Sequence, residues 1–463
     1  MRRRQFPWEI VLLLVALAGL VGLSATALAQ TTGGGVSGAN GVMVDADGVL
    51  RLQHFPDPTG QLTRQRVAAA RGKLNPDVVK ASKLRKVSLN RLEAAVRAQL
   101  EKGQPPSDDM QYLAGLTRVR YLFYYPETKD IVLAGPAEGW AADLSNRVCG
   151  IETGRPVLQL QDLVVALRAF APGNRQAPVI QVSIDPTPEG LARMQDFLRS
   201  VGAHATPGDT EVIVNGLRTS LGMQNIRVGG VAANTHFAQV LLECDYRMKL
   251  IGIGVEKPPV KMVSYVDRAV PGGSRNALQR WFFIPDYNCA RVAADSLGLE
   301  LVGDVVKLVS EDQMVNKDGS RAVTGKGNKA SDLFTQAFTR KYAELAARVP
   351  VFAEMRNVID LSIVAAFIHK QDLYALAGWQ AATFNNEGAL AVETYKAPLQ
   401  VETVCTAVWK GNTLMTPVGG GVTIHPRTVL NTGNLLPDED GKISEVREAV
   451  DLKDLPAGQW WWD

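Results

Sequence analysis

The stretch VFAEMRNVIDLSIVAAFIHK, residues 351–370, constrains the fold more than any other. A helix with one apolar stripe can lie on a surface, but one that is apolar all round must be enclosed. From Val358 to Ile368 the stretch is apolar on nearly every side, which predicts a central, buried helix that the rest of the chain must wrap. Phe352, Ile359, Ile363 and Phe367 line one face, and Arg356 and Asp360 stand inside it. An unpaired charge in that position costs several kcal/mol. The expectation is an Arg356–Asp360 ion pair, with a polar ligand site as the alternative.

The chain has 463 residues and is 46% hydrophobic, enough for two or three cores. It opens MRRRQFPWEIVLLLVALAGLVGLSATALAQ. Arg2, Arg3 and Arg4 precede an apolar run from Ile10 to Leu23, and Ala27-Leu28-Ala29 fits a small-x-small cleavage site. This pattern reads as a secretory leader cut between Ala29 and Gln30. The run is short for a membrane span, which needs about 20 residues. An uncleaved anchor is the alternative, and membrane contact is expected only in that case. QTTGGGVSGAN then reads as a flexible linker. Export therefore points to a periplasmic or extracellular location. Loss of the leader removes three arginines and one glutamate from a formal charge of +3, leaving +1. A nearly neutral chain argues against nucleic acid as a partner.

The order of elements mixes hairpins and helices without regular alternation. This predicts an α+β protein with mainly antiparallel sheets, helices packed on one side, and two or three lobes. Residues 1–29 form the leader and 30–40 the linker. Residues 41–110 form an N-terminal hairpin and helical segment, and 111–387 the main α+β region, with a sub-boundary near 270. Residues 388–463 form a β-prone tail. GVMVDADGVLRL is a hairpin turning at Asp45-Ala46-Asp47-Gly48. That turn lacks the later ligands of a calcium loop. Ser88 caps a helix closed by Gly103, and VRYLFYYPETKDIVLAGP is a second hairpin. PVIQVSI, VKMVSYVD, RWFFIPDY and LELVGDVVKLVS read as strands.

HFAQVLLECDYRMK, residues 236–249, places a histidine, a cysteine and an aspartate within ten residues. Capped by Asn234 or Thr235, it is predicted to be a helix. At about 100° per residue, Phe237, Val240, Leu241, Cys244 and Met248 share one buried stripe. Cys244 is then an inert core thiol. His236 and Asp245 point to opposite sides, so the three make no triad within this helix. Glu243 and Arg247 are spaced for a surface pair.

Other candidates fail on spacing. In the run containing VTGKGNK, Gly319 and Gly325 are separated by five residues, and Gly327 stands where a phosphate loop has Ser or Thr. His54, His204, His236, His369 and His425 lack metal-ligand spacing. Cys149, Cys244, Cys289 and Cys405 contain no CxxC. In an exported chain they could form disulfides in three complete pairings, though a chain this large does not need them. Asp185, at a strand end, shapes an Asp-Pro turn. The terminal QWWWD is read as a strand packed on the body rather than a sugar platform or membrane anchor.

Five phrases together, YPETKDIVLAGPAEGW, TGRPVLQLQDLVVALR, SIDPTPEGLARMQ, HFAQVLLECDYRMK and FTRKYAELAARVPVFAEMRNVIDL, resemble an uncharacterised domain family of exported planctomycete bacterial proteins. The resemblance runs from Arg118 to His369. It implies export and one long α+β unit, and it brings no catalytic residue, metal or cofactor with it. The function expected is a non-enzymatic, envelope-associated binding or structural protein, whose partner is an unidentified envelope protein or polymer. The alternative is a secreted hydrolase using paired carboxylates, with Asp185, Glu138 and Asp360 as first suspects.

Overall fold

The computed structural model describes residues 41–463 except 175–177, 202–205, 269–276, 316–320, 324–327, 407, 411–412, 416–417, 450–451, 453–454 and 457. The expected leader, the Ala29–Gln30 cut, the linker, His204 and most of VTGKGNK lie outside the described residues.

The helix Pro350–Lys370 is the centre, with every residue from Val351 to Ile368 buried. Pro350 starts it, where the missing N–H costs nothing. The helices Leu160–Ala169 and His236–Gly252 pack against it. The His236–Gly252 helix in turn lies on a large sheet.

Strands are numbered along the chain. The large sheet has nine, in the order β1 (Val42–Val44), β2 (Val49–Leu52), β15 (Gln400–Glu402), β9 (Met223–Gly229), β8 (Ile180–Pro186), β18 (Val418–Ile424), β10 (Ala277–Pro285), β13 (Val306–Val315) and β14 (Arg321–Val323). A six-stranded sheet runs β11 (Ala290–Val292), β12 (Gly298–Leu301), β4 (Tyr121–Tyr125), β5 (Asp130–Ala137), β3 (Ser82–Ser88) and β19 (Trp461–Trp462). Two hairpins stand apart, β6 (Trp140–Ala142) with β7 (Val148–Gly150), and β16 (Val408–Lys410) with β17 (Thr413–Met415). Among the described ladders only β2/β15 and β10/β18 are parallel, so the fold is α+β and mainly antiparallel.

Strands from both ends of the described chain meet in the large sheet. β15 lies between β2 and β9, and β18 between β8 and β10. Glycine makes the second insertion possible. A Cβ at Gly420 would stand 1.9 Å from the Trp281 carbonyl, and one at Gly421 2.0 Å from that of Val182. Lys249 fastens the helix above to this seam: its Nζ donates to Asp245 (2.7 Å), the Ile184 carbonyl (3.0 Å) and the Gly420 carbonyl (3.0 Å).

In the small sheet, alternation divides the residues between two cores. Leu122, Tyr124, Ile131 and Leu133 face the main core. Phe123, Tyr125, Val132 and Ala134 face a second cluster, closed by Ile443, Leu452 and Trp462. The tryptophan tail is a strand, with Trp461 opposite Val87 and Trp462 opposite Lys86. Arg85 is fully buried beneath it, lies 4.7 Å from the Trp461 ring centroid, and pairs with Asp463 at 2.8 Å.

One expected strand is absent. VKMVSYVD forms an irregular run and the short helix Tyr265–Arg268. Ser264 and Asp267 start that helix reciprocally, each side chain accepting from the other's backbone N–H.

Candidate functional site

A cleft of about 560 Å³ opens over the start of the His236–Gly252 helix. Its walls come from Gln53 and Phe55 after β2, Pro105 and Pro106 with Gln111 and Tyr112, Ser145, Asn146 and Val148 of the β6–β7 hairpin, the segment Gln159–Val164, and the segment Leu390–Tyr395. The last is held by Tyr395 N–H donating to the Asn234 carbonyl at 2.8 Å and by a Thr235–Thr394 bridge.

His236 is at the floor, 2% exposed. Thr235 caps the helix, its hydroxyl accepting from the Ala238 N–H, and this fixes His236 as the first helical residue. Its Nδ1 lies 2.9 and 3.0 Å from the two carboxylate oxygens of Asp162. Asp162 occupies the first turn of the helix Leu160–Ala169, where a carboxylate is favoured. Burial works against a charged His236. Asp162, with help from Glu354, outweighs burial and raises the imidazole to about 9. His236 is therefore an imidazolium at neutral pH and is no general base there.

Behind it lies a second buried set. Arg147 donates to Glu354 at 2.7 Å and to Glu243 at 2.9 Å. The turn after β6 aims it: the Asp143 carboxylate accepts from the N–H groups of Ser145 and Arg147, and Asn146 takes φ 65°. Burial opposes the Arg147 charge, but Glu243 and Glu354 hold its pKa above the usual value. Burial pushes the Glu354 carboxyl up against the pull of Arg147 and His236.

Two glutamines connect His236 to the cleft wall. Gln159 Nε2 is 3.4 Å from His236 Nε2, and Gln161 Nε2 donates to Gln159 Oε1 at 2.7 Å. Gln161 Oε1 is buried without a close hydrogen-bond partner among the described residues, and the Gln161 side chain lies beside the Tyr395 hydroxyl.

The residues singled out in the sequence fall elsewhere, His236 excepted. Asp185 is bonded by Arg280 at 2.9 and 3.1 Å. Glu138 accepts from the backbone of Glu152 (2.7 Å) and Thr153 (3.1 Å). Asp360 accepts from Arg118 at 3.1 Å. None of the three lines the cleft. The Arg356–Asp360 pair is replaced: Arg356 reaches Asp304 at 3.4 Å, and Asp360 takes Arg118. A basic residue N-terminal to an acid is the weaker i,i+4 order, and partners on neighbouring loops win. Glu243 and Arg247 do approach within ion-pair distance, at 3.7 Å, but the pair is not at the surface and each has a closer partner. Glu243 is 2% exposed and bound to Arg147, while Arg247 takes Glu256 at 2.7 Å. Cys244 is fully buried, its thiol donating to the Val351 carbonyl at 3.1 Å, and burial pushes its pKa well up. Cys149, Cys289 and Cys405 are also buried, and all four thiols are free. The Asp45 carboxylate accepts from the N–H groups of Asp47 and Val49, as a turn residue does. Among the described residues no group of three or more His, Cys, Asp or Glu is placed to hold a metal, and no helix is long and apolar enough to cross a membrane.

Asp162 as the partner of His236 was not foreseen. The two are 74 positions apart, and the only local signal is an acid in the first turn of one helix and a histidine in the first turn of another.

Residues 182–265 match a family model described as "Protein of unknown function (DUF1598)". No curated protein and no solved structure matches the chain. The matched stretch runs from β8 through β9 and the His236–Gly252 helix, so it associates the floor of the cleft with an uncharacterised domain family.

Proposed function

We propose that this chain is an exported, non-enzymatic binding protein of the cell envelope, and that its ligand seats in the cleft above His236. One observation carries the reading. The cleft is preformed, its walls combine side-chain amides, aromatic rings and aliphatic groups with one exposed carboxylate, that of Glu393, and the charges at its floor are paired with one another. Such walls orient a ligand by hydrogen bonds and supply no activated nucleophile. The hydrolase reading needs two carboxylates converging on a cleft. Asp185, Glu138 and Asp360 are instead bound separately, by Arg280, by a backbone turn and by Arg118.

Crosslinking and pull-down from the envelope test the reading, with Ala391→Trp as the blocked control, since Ala391 is exposed and lines the cleft. One envelope component is expected with the wild-type chain and a loss of at least tenfold with Ala391→Trp. Equal capture by both would overturn the seat. Turnover of a glycan, peptide or ester, abolished by an acid variant that still folds, would overturn the non-enzymatic reading. N-terminal sequencing of native material tests export, with Gln30 expected as the first residue and an intact Met1 against it.

A further inference from the structure

Among the described residues that line the cleft, Glu393 carries the only exposed charge. The Tyr395 hydroxyl donates to its Oε2 at 2.8 Å, and Tyr395 is itself buried, so the carboxylate is tethered to the wall. No lysine, arginine or histidine among the described residues pairs with it. Lys396, the nearest lysine along the chain, is spent on the Asp45 and Ala46 carbonyls. Beneath the cleft, His236 and Arg147 are matched by Asp162, Glu243 and Glu354, so the floor offers no surplus positive charge. An anion entering here meets the Glu393 carboxylate with nothing to hold it, whereas a cation meets its counter-charge.

The groups around Glu393 suit a cation of a particular kind. Phe55, 43% exposed, and half-buried Tyr112 bring aromatic rings to the same cleft. Burial, then Asp108, then Glu393 raise the Tyr112 phenol, so that ring lies within the field of the Glu393 carboxylate. The face of an aromatic ring attracts a cation. Gln111 Nε2 donates to the Pro106 carbonyl at 2.8 Å, which leaves the amide oxygen as the part of Gln111 open to a ligand. A primary ammonium group has three donors and no acceptor. Carboxylate, amide oxygen and ring face are what such a group needs. Pro105, Pro106, Val148 and Leu390 give the same cleft an apolar side, and its volume of about 560 Å³ admits a small ligand with a stem of several carbons.

Resting on the binding reading above, we propose that the cleft takes a primary amine carried on an apolar stem, and that the Glu393 carboxylate binds its ammonium group. The prolines and Phe55 cover the stem, and Glu393 supplies the selection by charge. A neutral ligand of the same shape gains the stem contacts alone, and an anionic one is repelled. A free alkylamine and a lysine side chain share this chemistry.

Calorimetry on the full chain at pH 7 tests this with two sets of probes. The first compares phenylbutylamine, phenylbutanol and phenylbutyrate, which share a stem and differ in charge. The amine is expected to bind about tenfold tighter than the alcohol, between the worth of an exposed ion pair and that of a charge-assisted hydrogen bond shielded from water. The carboxylate should bind more weakly than either. The second set compares acetyl-Phe-Lys-amide with its norleucine counterpart, and a tenfold preference there names a lysine side chain as the source. A preference in either set supports the proposal. Glu393→Gln keeps the shape and an acceptor for the Tyr395 hydroxyl and removes the charge. It should erase the preference while the alcohol binds as before, whereas a merely structural role for Glu393 would move all the probes together. Added salt should narrow the preference in the wild-type chain. Equal affinities in both sets, a preference that survives Glu393→Gln, tightest binding of the carboxylate, or no binding of any probe would each overturn the proposal. If the probes fail while Ala391→Trp still abolishes envelope capture, the ligand class is wrong and the seat stands.

Discussion

Glu354 and, two residues on, Arg356 are both buried on the central helix, yet their surroundings differ. Glu354 shares Arg147 with Glu243 at distances of 2.7 and 2.9 Å, and these groups adjoin the His236–Asp162 pair under the cleft. Arg356 reaches Asp304 at 3.4 Å, its Nε has no hydrogen-bond partner among the described residues, and burial together with nearby Arg118 pushes its pKa down. Asp360 and Arg118 likewise each keep one buried atom unbonded. A buried ion pair repays its desolvation only when the geometry is good and the remaining hydrogen-bonding positions are filled. The set under the cleft meets that condition far better than the set one turn along.

The largest effect expected from breaking this comparison is at Arg147. Arg147→Met leaves Glu243 and Glu354 buried without their common partner. The expected loss is about 3–5 kcal/mol, as for other buried pairs stripped of one member. Urea unfolding at pH 7 measures it, and a loss under 1 kcal/mol would show that Arg247 and His236 suffice for the two acids.

His236 gives the next effect, and it depends on pH. Its pKa is raised from 6.5 to about 9 in the folded chain. The stabilisation is fully present below the unfolded value and is lost as pH rises through the folded one. The window is pH 6.5 to 9, and the loss across it is about 3 kcal/mol. Lysines, tyrosines and thiols titrate at the upper end too, so the reading is a difference. His236→Gln should flatten the decline relative to wild type, and parallel curves for the two proteins would remove His236 from the cleft's charge balance.

The frame of this comparison is legible in the sequence and its pairings are not. A helix apolar on every side can only be central, and residues 351–368 are. The hairpins follow from β-prone runs around turn residues, as in β4 and β5, and the terminal tryptophans form a strand. Partners are another matter. His236 and Asp162 are 74 positions apart, and Arg147 and Glu354 are 207. Helical spacing suggested Arg356 with Asp360, which is replaced, and Glu243 with Arg247, which stands at 3.7 Å but is secondary to Arg147 and Glu256; spacing describes an isolated helix. In an enclosed one, each charge turns to whichever neighbouring element offers an unhindered counter-charge. The insertion of β15 and β18 into the large sheet is hidden for the same reason: no local pattern states which strands a segment will meet.

The smallest effect belongs to the incompletely bonded set. Arg356→Met removes a charge whose partner Asp304 keeps a side chain 34% exposed and can return to water. It also removes an unbonded N–H and the repulsion from Arg118. Methionine fills similar volume with apolar atoms, and replacing buried charge in this way is often neutral or stabilising. Asp360 loses a neighbouring positive charge but keeps its bond from Arg118 at 3.1 Å. The net change expected is within about 1 kcal/mol of wild type, of either sign. The paired control is Arg118→Met, which strips Asp360 of its bonded partner and should cost about 3 kcal/mol. Measured by the same urea midpoints, Arg356→Met should lie near wild type and Arg118→Met well below it. If Arg356→Met falls as far as Arg147→Met, the two sets are equally well bonded, and the contrast between cleft floor and sealed interior disappears.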